Sequence, residues 1–299
     1  MLYEKFTEFV EYVVKNVADF LPSDCIGAEI STQEVQKHGN VLTALTIRKQ
    51  GSNVAPAIYL DPYYVKYCTS EVDVLDLLKG IAKCYEENNK VDSLSMDWIL
   101  DWKQAKDRLV SRLVNISNGV NDEYLSDCPI DNLTDDIGIL YEIAIPELSN
   151  DGTAAVKVSY DLMEKWGIHQ CDLADIARKN LPILRPMEIA TMEEVMESRI
   201  GIPMMPMETP ILIVSNKRYS NGAIAVLYDG VEEKIRERLG DFILLPSSVH
   251  EMLVIPSSGT DPIALAEMIS EVNKTVVLDE EQLSNVPYVL EHGKLRAIA

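Results

Sequence analysis

The sequence predicts an α+β protein with mainly antiparallel sheets, flanking helices and two packed subdomains. Short apolar runs outnumber long amphipathic segments along the 299 residues, and most neighbouring runs are separated by only a few Gly, Asn, Ser or Pro residues. Antiparallel strands can be joined by such short turns, whereas parallel strands need longer crossover connections. The chain also lacks the internal repeats, about 20–50 residues long, that indicate solenoids or propellers.

The first subdomain is predicted over residues 1–118. Apolar residues recur at helical spacing through residues 2–20, and Pro22 follows where this pattern ends, so an amphipathic helix is predicted first. Runs rich in β-branched residues and further periodic segments define the other elements of this half. They are strands at 27–37, 41–49, 55–60 and 109–116, and helices at 71–88 and 95–106.

Residues 119–134 are polar, acidic and rich in turn-forming residues, which predicts a connection to a second subdomain over residues 135–299. Residues 181–210 contain five prolines and are predicted to be irregular. The regular elements predicted in this half are strands at 137–145, 154–159, 211–215, 223–227, 286–290 and 295–298, and helices at 161–166, 171–180 and 231–239.

Two helix starts in the second half carry capping signals. Asp229 is predicted to cap the helix over 231–239. Asp261 and Pro262 predict the start of a further helix, because Asp is a favoured cap and Pro is tolerated at the first helical position. The apolar residues expected to face inward from that helix are Leu265, Met268, Ile269 and Val272.

The densest apolar segment of the chain runs from Gly240 to Pro256. It predicts a hairpin whose strands, Phe242–Leu245 and Val249–Ile255, are joined by a turn at Pro246–Ser248, since Pro cannot donate to a strand ladder and Ser can bond to nearby backbone. If the second strand is extended, alternate side chains lie on opposite faces of it. The face with Ser248, His250 and Met252 is then opposite the face with Ser247, Val249, Glu251 and Leu253.

Ser248, His250 and Glu251 are the candidate catalytic residues, because they are the one Ser, His and Glu set that is close together in the sequence. Ser248 and His250 could form a nucleophile–base pair, but Glu251 would point away, so the acid would have to come from elsewhere. The Gly-x-Ser-x-Gly nucleophile turn is also missing. We therefore expect the segment to be structural, and a hydrolase-like enzyme using Ser248 and His250 stays as an alternative.

The sequence predicts neither a cofactor nor a metal ion. Val254 occupies the position where a second zinc ligand would follow His250, the four histidines are scattered, and neither common glycine-rich phosphate loop occurs. The five cysteines are unpatterned, which is typical of reduced thiols in a cytoplasm. The N-terminal residues lack the features of a signal peptide, and no run approaches the roughly 18 apolar residues of a membrane span. We expect a cytoplasmic protein.

The formal net charge of −21 argues against direct binding to nucleic acid or to an anionic membrane, because phosphate contacts need clustered Lys and Arg. Residues 1–118 hold 13 basic and 17 acidic residues, a net charge of −4, whereas residues 119–299 hold 14 and 31, a net charge of −17. The excess is consistent with a well-solvated surface or with an acidic docking face. The candidate partner-binding residues are Met204, Met205, Met207, Glu232 and Glu233.

Methionine-rich surfaces adapt to partners, although methionines more often fill gaps in a core. Acidic residues of the helix over 231–239 are interleaved with Lys234, Arg236 and Arg238, which resembles a mixed surface more than a row of phosphates. We therefore expect a non-catalytic interaction or regulatory protein with an unknown protein partner. An acidic decoy of a nucleic-acid-binding protein is the second alternative, and it would need carboxylates spaced like phosphates.

Several short segments occur together in this chain. They are Asp136–Tyr141, Leu162–Ile168 with Ala177 and Asn180, Ile213–Ala223, Leu245–Glu251, Glu271–Asn273 and Leu283–Asn285. With this combination, over most of residues 1–291, the chain resembles a family of unknown function from gut anaerobic bacteria with a Leu-Pro-Ser-Ser-x-His-Glu signature. The resemblance implies a link to mobile genetic elements. The C-terminal half is also similar, more faintly, to a second bacterial family without an assigned activity.

Overall fold

The protein divides into two compact units, Met1–Trp98 and Ile99–Ala299, in a computed structural model. The described residues contain three antiparallel sheets together with helices, which confirms the predicted α+β class. No helix among them is long and apolar enough to cross a membrane. The structure describes residues 5–37, 40–49, 57–69, 72–88, 96–148, 153–201 and 209–299.

Among its described residues, the first unit packs three α-helices and a three-stranded sheet around one core. Its helices are α1 (Phe6–Asn16), α2 (Asp61–Thr69) and α3 (Val74–Asn88), and its sheet has the order β1 (Glu29–Lys37), β2 (Asn40–Arg48), β3 (Ala57–Tyr59). Phe9, Leu45 and Leu78 are fully buried in this core. Helix α2 is not among the predicted elements. Asp61-Pro62 was expected only to end the strand over 55–60, although the same pair also suits the first turn of a helix.

The second unit contains a four-stranded and a six-stranded sheet. The four-stranded sheet consists of β4 (Leu109–Asn115), β5 (Ile130–Asn132), β6 (Ile137–Ala144) and β7 (Ala155–Lys157), in the order β4–β6–β5 with β7 also paired to β6. The six-stranded sheet consists of β8 (Met187–Thr191), β9 (Leu212–Asn216), β10 (Phe242–Ser248), β11 (Glu251–Pro256), β12 (Tyr288–Glu291) and β13 (Lys294–Ala297). Its strand order is β13–β12–β10–β11–β9–β8.

Both sheets of the second unit share one core, to which Leu181 and Ile235 contribute from two of its helices. Leu113 of β4, Val214 of β9 and Leu244 of β10 are buried in the same apolar cluster. The helices are α4 (Trp102–Ala105), α5 (Asp122–Leu125), α6 (Tyr160–Trp166), α7 (Gln170–Leu184), α8 (Met192–Ile200), α9 (Val231–Leu239) and α10 (Pro262–Thr275).

Strand β4 belongs to the second unit, although the sequence places it within the predicted first subdomain of residues 1–118. It pairs with β6 along its whole length, with Leu109 opposite Ile143 and Asn115 opposite Ile137. Residues 119–134, the predicted connection, contain α5 and β5, and Leu125 of α5 is buried in a small cluster with β4 and β6.

Residues 181–210 are more regular than predicted, because the end of α7, strand β8 and helix α8 lie within them. The Thr191 hydroxyl accepts a hydrogen bond from the Glu194 N–H at 3.2 Å, and the Glu194 carboxylate accepts one from the Thr191 N–H at 2.8 Å. This Thr-x-x-Glu capping box is visible in the sequence and could have located the helix start.

The strand predicted over 223–227 is a 3₁₀ turn, Ala223–Leu227. Its first four residues are all buried, whereas a half-buried strand would alternate buried and exposed residues. The predicted cap at Asp229 is also wrong, because Gly230 precedes α9 and Asp229 instead pairs with Arg178. Backbone freedom at Gly230, which has φ +78°, allows this sharp entry into the helix.

Helix α10 begins as predicted but turns part of its apolar side to solvent. The Asp261 carboxylate accepts a hydrogen bond from the Ile263 N–H at 3.1 Å, and Pro262 occupies the first helical position. Ile269 is buried, whereas Met268 and Val272 are 46% and 43% exposed. These two residues were expected to face inward, but the sheet beneath α10 covers only the side on which Ile269 lies.

Candidate functional site

The central hairpin turns later than the sequence predicts. Strand β10 continues to Ser248, Val249 and His250 form the turn, and β11 begins at Glu251. The predicted turn at Pro246–Ser248 is therefore wrong. Pro246 fits within a strand here because the pairing of β10 with β12 is confined to Leu244, and the register with β11 shifts just after Pro246.

The candidate catalytic residues lie close together but are bonded to other groups. The Ser248 hydroxyl accepts a hydrogen bond from the backbone N–H of His250 at 3.1 Å. The His250 ring accepts one at Nδ1 from the Asn221 N–H at 3.1 Å, and its Nε2 lies 3.3 Å from Glu281 Oε1. Glu251 accepts a hydrogen bond from the Ser247 hydroxyl at 3.3 Å. In this arrangement the imidazole orients a turn, and the bond between Ser248 and His250 runs to the backbone.

Segments that carry the family resemblance meet inside the second unit. The Ser215 hydroxyl and the Gly222 N–H both donate to the carbonyl of His250, at 2.7 and 3.0 Å. The Ser284 and Tyr288 hydroxyls both donate to the Asp136 carboxylate at 2.5 Å. These contacts join residues far apart in the chain, so the resembling segments hold the packing together.

Of the candidate partner-binding residues, Met204, Met205 and Met207 lie outside the described residues. Glu232 and Glu233 lie in the first turn of α9 and line a groove of about 580 Å³. The groove is bounded by β4–β6, helix α7, the residues from Ile224 to Glu233 and the turn between β12 and β13. Residues that define it include Ser111, Asp131, Ile139, Tyr141, Arg178, Leu181, Tyr228, Asp229, Glu232, Glu233, His292 and Lys294.

One carboxylate that lines the groove, that of Asp131, is held by two donors. The Tyr141 hydroxyl donates to Asp131 Oδ2, and the Gln170 side-chain amide donates to Asp131 Oδ1 at 2.6 Å. Burial and the neighbouring Asp131 charge raise the pKa of Tyr141 well above its ordinary value. Tyr141 therefore stays a protonated donor, and Asp131 is fixed in place as an acceptor.

The rim of the groove is acidic. Arg178 forms an ion pair with Asp229, and Glu232 accepts hydrogen bonds from the Gly293 N–H at 3.1 Å and from Arg236 at 3.0 Å. Although partial burial opposes it, these bonds lower the pKa of Glu232 below its ordinary value. Asp131 and Glu233 form no ion pair with any residue that the structure describes.

The charges that line the groove are unequal. Its four carboxylates are those of Asp131, Asp229, Glu232 and Glu233, against the two permanent cations of Arg178 and Lys294. Within the described ranges, no group of three or more His, Cys, Asp or Glu is arranged to hold a metal ion. The groove is therefore suited to a ligand that is cationic and partly apolar.

Most groove residues were not candidates at the sequence level. They come from five separate stretches of the chain, and each has an ordinary local explanation, such as Asp229 as a helix cap or Tyr141 as a strand residue. Of the groove residues, only Glu232 and Glu233 were candidates from the sequence, because they form one of several acidic pairs in the acidic residues 119–299.

Comparison with known proteins gives a family but no activity. No curated protein and no solved structure matches the chain. A family described as of unknown function, DUF5688, matches residues 6–291, which cover nearly the whole chain. The chain belongs to this family of unknown function, DUF5688.

Proposed function

We propose that this chain is a non-catalytic cytoplasmic binding protein whose groove captures a basic, partly apolar segment of a partner protein. The observation that carries the proposal is the groove itself, with twice as many carboxylates as permanent cations. Its volume of about 580 Å³ falls in the range typical of ligand sites. The link to mobile genetic elements implied by the family resemblance belongs to the same proposal.

Charge complementarity selects the occupant. Asp131 and Glu233 form no ion pair with any residue that the structure describes, so a Lys or Arg side chain of the occupant would pair with one of these two carboxylates. Ile139, Leu181 and Leu290 line the same groove and offer contact to a neighbouring apolar side chain. A basic residue beside an apolar one therefore fits better than an acidic or purely polar segment.

The hydroxyl groups of the groove support binding more than catalysis. Tyr141 donates to Asp131, and the Tyr228 hydroxyl donates to the carbonyl of Arg185 at 3.0 Å. Burial raises the pKa of Tyr228 above its ordinary value, as burial does for Tyr141, so both phenols stay protonated near neutral pH. Neither is placed or charged to act as a base or nucleophile.

The test is a peptide array probed with the full chain. Peptides would pair Lys or Arg with Leu or Tyr, and each would have a partner in which the basic residue is Gln. We expect binding of the basic set alone, followed by fluorescence anisotropy for affinity. Glu233→Gln should weaken binding about two- to fivefold, the size of one exposed ion pair. Glu237→Gln, one helical turn further along α9 and outside the groove lining, is the charge-matched control and should leave affinity unchanged.

Three results would contradict the proposal. Equal weakening by Glu233→Gln and Glu237→Gln would show a general charge effect with no role for the groove. Displacement of a captured partner by stoichiometric duplex DNA would favour the decoy alternative. Turnover of a bound peptide that is lost in Ser248→Ala, without a change in melting temperature, would favour the hydrolase alternative.

A further inference from the structure

Ser111 brings a buried hydroxyl to the groove that the folded chain does not use. The residue lies in the middle of β4, is only 3% exposed, and is among those that line the groove. Its hydroxyl forms no hydrogen bond with any residue that the structure describes. Buried side-chain polar atoms nearly always have a partner, so an unpaired one beside a cavity indicates a ligand.

The strand register directs Ser111 and Asp131 into the same space. Ser111 lies opposite Tyr141 in the β4–β6 pair, and Asp131 lies opposite Ile139 in the β5–β6 pair. Because Tyr141 and Ile139 are two residues apart in β6, their side chains and those of their partners rise from one face of the sheet. All four residues line the groove, so this is the face that the groove exposes.

The two polar positions suit different groups of a ligand. The neighbours of Ser111 on its own strand and face, Leu109 and Leu113, are fully buried. A cation placed there would lose its hydration without gaining a counter-ion, whereas a neutral carbonyl would gain the Ser111 hydrogen. Asp131, in contrast, presents a carboxylate that its two donors fix in place. The cation therefore belongs at Asp131 and a neutral acceptor at Ser111.

The separation of these positions fits one extended basic residue. Strands lie about 4.8 Å apart and rise about 3.4 Å per residue, so Ser111 and Asp131, two strands and two residues apart, have Cα atoms about 12 Å apart. An extended lysine places its ammonium group about 8 Å from its own carbonyl oxygen. A hydrogen bond of about 3 Å at each end completes the span.

We infer that Ser111 is a specificity-determining residue of the groove, which donates a hydrogen bond to the main-chain carbonyl of a basic residue whose cation pairs with Asp131. The groove then recognises both ends of an extended Lys or Arg residue, and it discriminates against shorter cations. This inference rests on the proposed function and adds the residue and the spacing that select the occupant.

A double-mutant cycle between the chain and a fluorescent basic peptide tests the hydrogen bond. An ester in place of the amide bond that follows the basic residue makes its carbonyl a weaker acceptor. The ester should weaken binding to the wild-type chain about fivefold, the size of one net hydrogen bond. Ser111→Ala should weaken binding of the amide peptide equally, and the ester should then cause no further loss. Ser126→Ala, an exposed serine outside the groove lining, is the control and should leave both affinities unchanged.

Side-chain length gives a second measurement. Replacing lysine in the peptide by 2,4-diaminobutyrate, two methylenes shorter, should weaken binding to the wild type about fivefold and to Ser111→Ala much less, because only the wild type holds both ends. An ester without effect on the wild type, or equal ester and length effects in both proteins, would overturn the inference and leave the proposed function intact. Basic peptides that bind no better than their Gln counterparts would overturn both.

Discussion

Gly222 shows how strongly a single position can be constrained when three segments of the chain converge on it. A Cβ added at this residue would lie 2.2 Å from Ser215 Oγ, 2.6 Å from the Asn216 nitrogen and 2.8 Å from the His250 carbonyl oxygen. Two of these neighbours are backbone atoms, so they cannot move aside as the end of a flexible side chain could. Glycine is needed here for close approach, since its φ of −96° is accessible to any residue.

Gly222→Ala should therefore destabilise the second unit by about 1–3 kcal/mol or more, the usual cost of overpacking. Gly80→Ala in α3 is the contrasting variant, because its Cβ would meet Tyr63 at an ordinary 3.7 Å and Ala favours a helix by roughly 0.5–1 kcal/mol. Guanidinium unfolding of each variant measures the change. A Gly222→Ala protein as stable as the wild type would show that the three segments pack less closely than described.

Cys128 should be the least reactive of the thiols compared here. Burial, followed by the neighbouring Asp127 carboxylate, raises the pKa of Cys128 to about 11, whereas Cys68 and Cys171 are exposed. The thiolate is the reactive form, so iodoacetamide at pH 8 should modify Cys68 and Cys171 well before Cys128. Mass spectrometry of the modified peptides measures the order.

The same shift predicts a loss of stability in alkali. The unfolded thiol ionises near pH 8.5 and the folded one near pH 11, so the folded state holds the proton more tightly between these values. The contribution of Cys128 is complete below about pH 8.5 and is lost as the pH rises through about 11. A Cys128→Ala variant with an unchanged alkaline stability profile would contradict this assignment.

At the scale of elements, the sequence located a helix or hairpin best when the residues at its end or turn provide a capping or turn signal. Helix α10 begins at Asp261-Pro262, and the β12–β13 hairpin turns at His292-Gly293, which have φ values of 53° and 72°. The end of strand β10 was predicted less accurately, because a proline such as Pro246 by itself indicates a turn. In the sheet, however, no neighbouring strand needs a hydrogen bond from the Pro246 nitrogen. Strand pairing therefore decides whether such a proline lies in a strand or in a turn.

The β4–β6 pair carries the clearest energetic prediction at this scale. Glu142→Gln would leave the buried Arg112 and Arg185 guanidinium groups without their shared carboxylate, and should cost about 3–5 kcal/mol. Glu291→Gln breaks an exposed pair with Arg296 at 3.4 Å and should cost less than about 1 kcal/mol. Thermal and guanidinium unfolding measure both changes. Equal effects would mean that solvent reaches the Glu142 cluster.

At the scale of the whole molecule, charge governs how a partner arrives. The net charge of −17 over residues 119–299 should steer a basic ligand toward the second unit. Raising salt from about 50 to 500 mM should slow association with a basic peptide severalfold and change dissociation much less, because screening acts mainly on the approach. Stopped-flow measurements at several salt concentrations test this. Association rates independent of salt would limit the charge excess to solubility.

The sequence by itself determined the α+β class, the antiparallel pairing and the start of α10, because these depend on period, turn chemistry and capping within short stretches. It also determined the charge asymmetry that motivates a basic partner. Only the tertiary structure decided which residues of that acidic half face one another. Asp131 and Glu233 are about a hundred residues apart and line one groove, and Glu142 and Arg185 meet across two elements. Contacts of this kind follow from how strands and helices pack in space, a choice that no local pattern encodes.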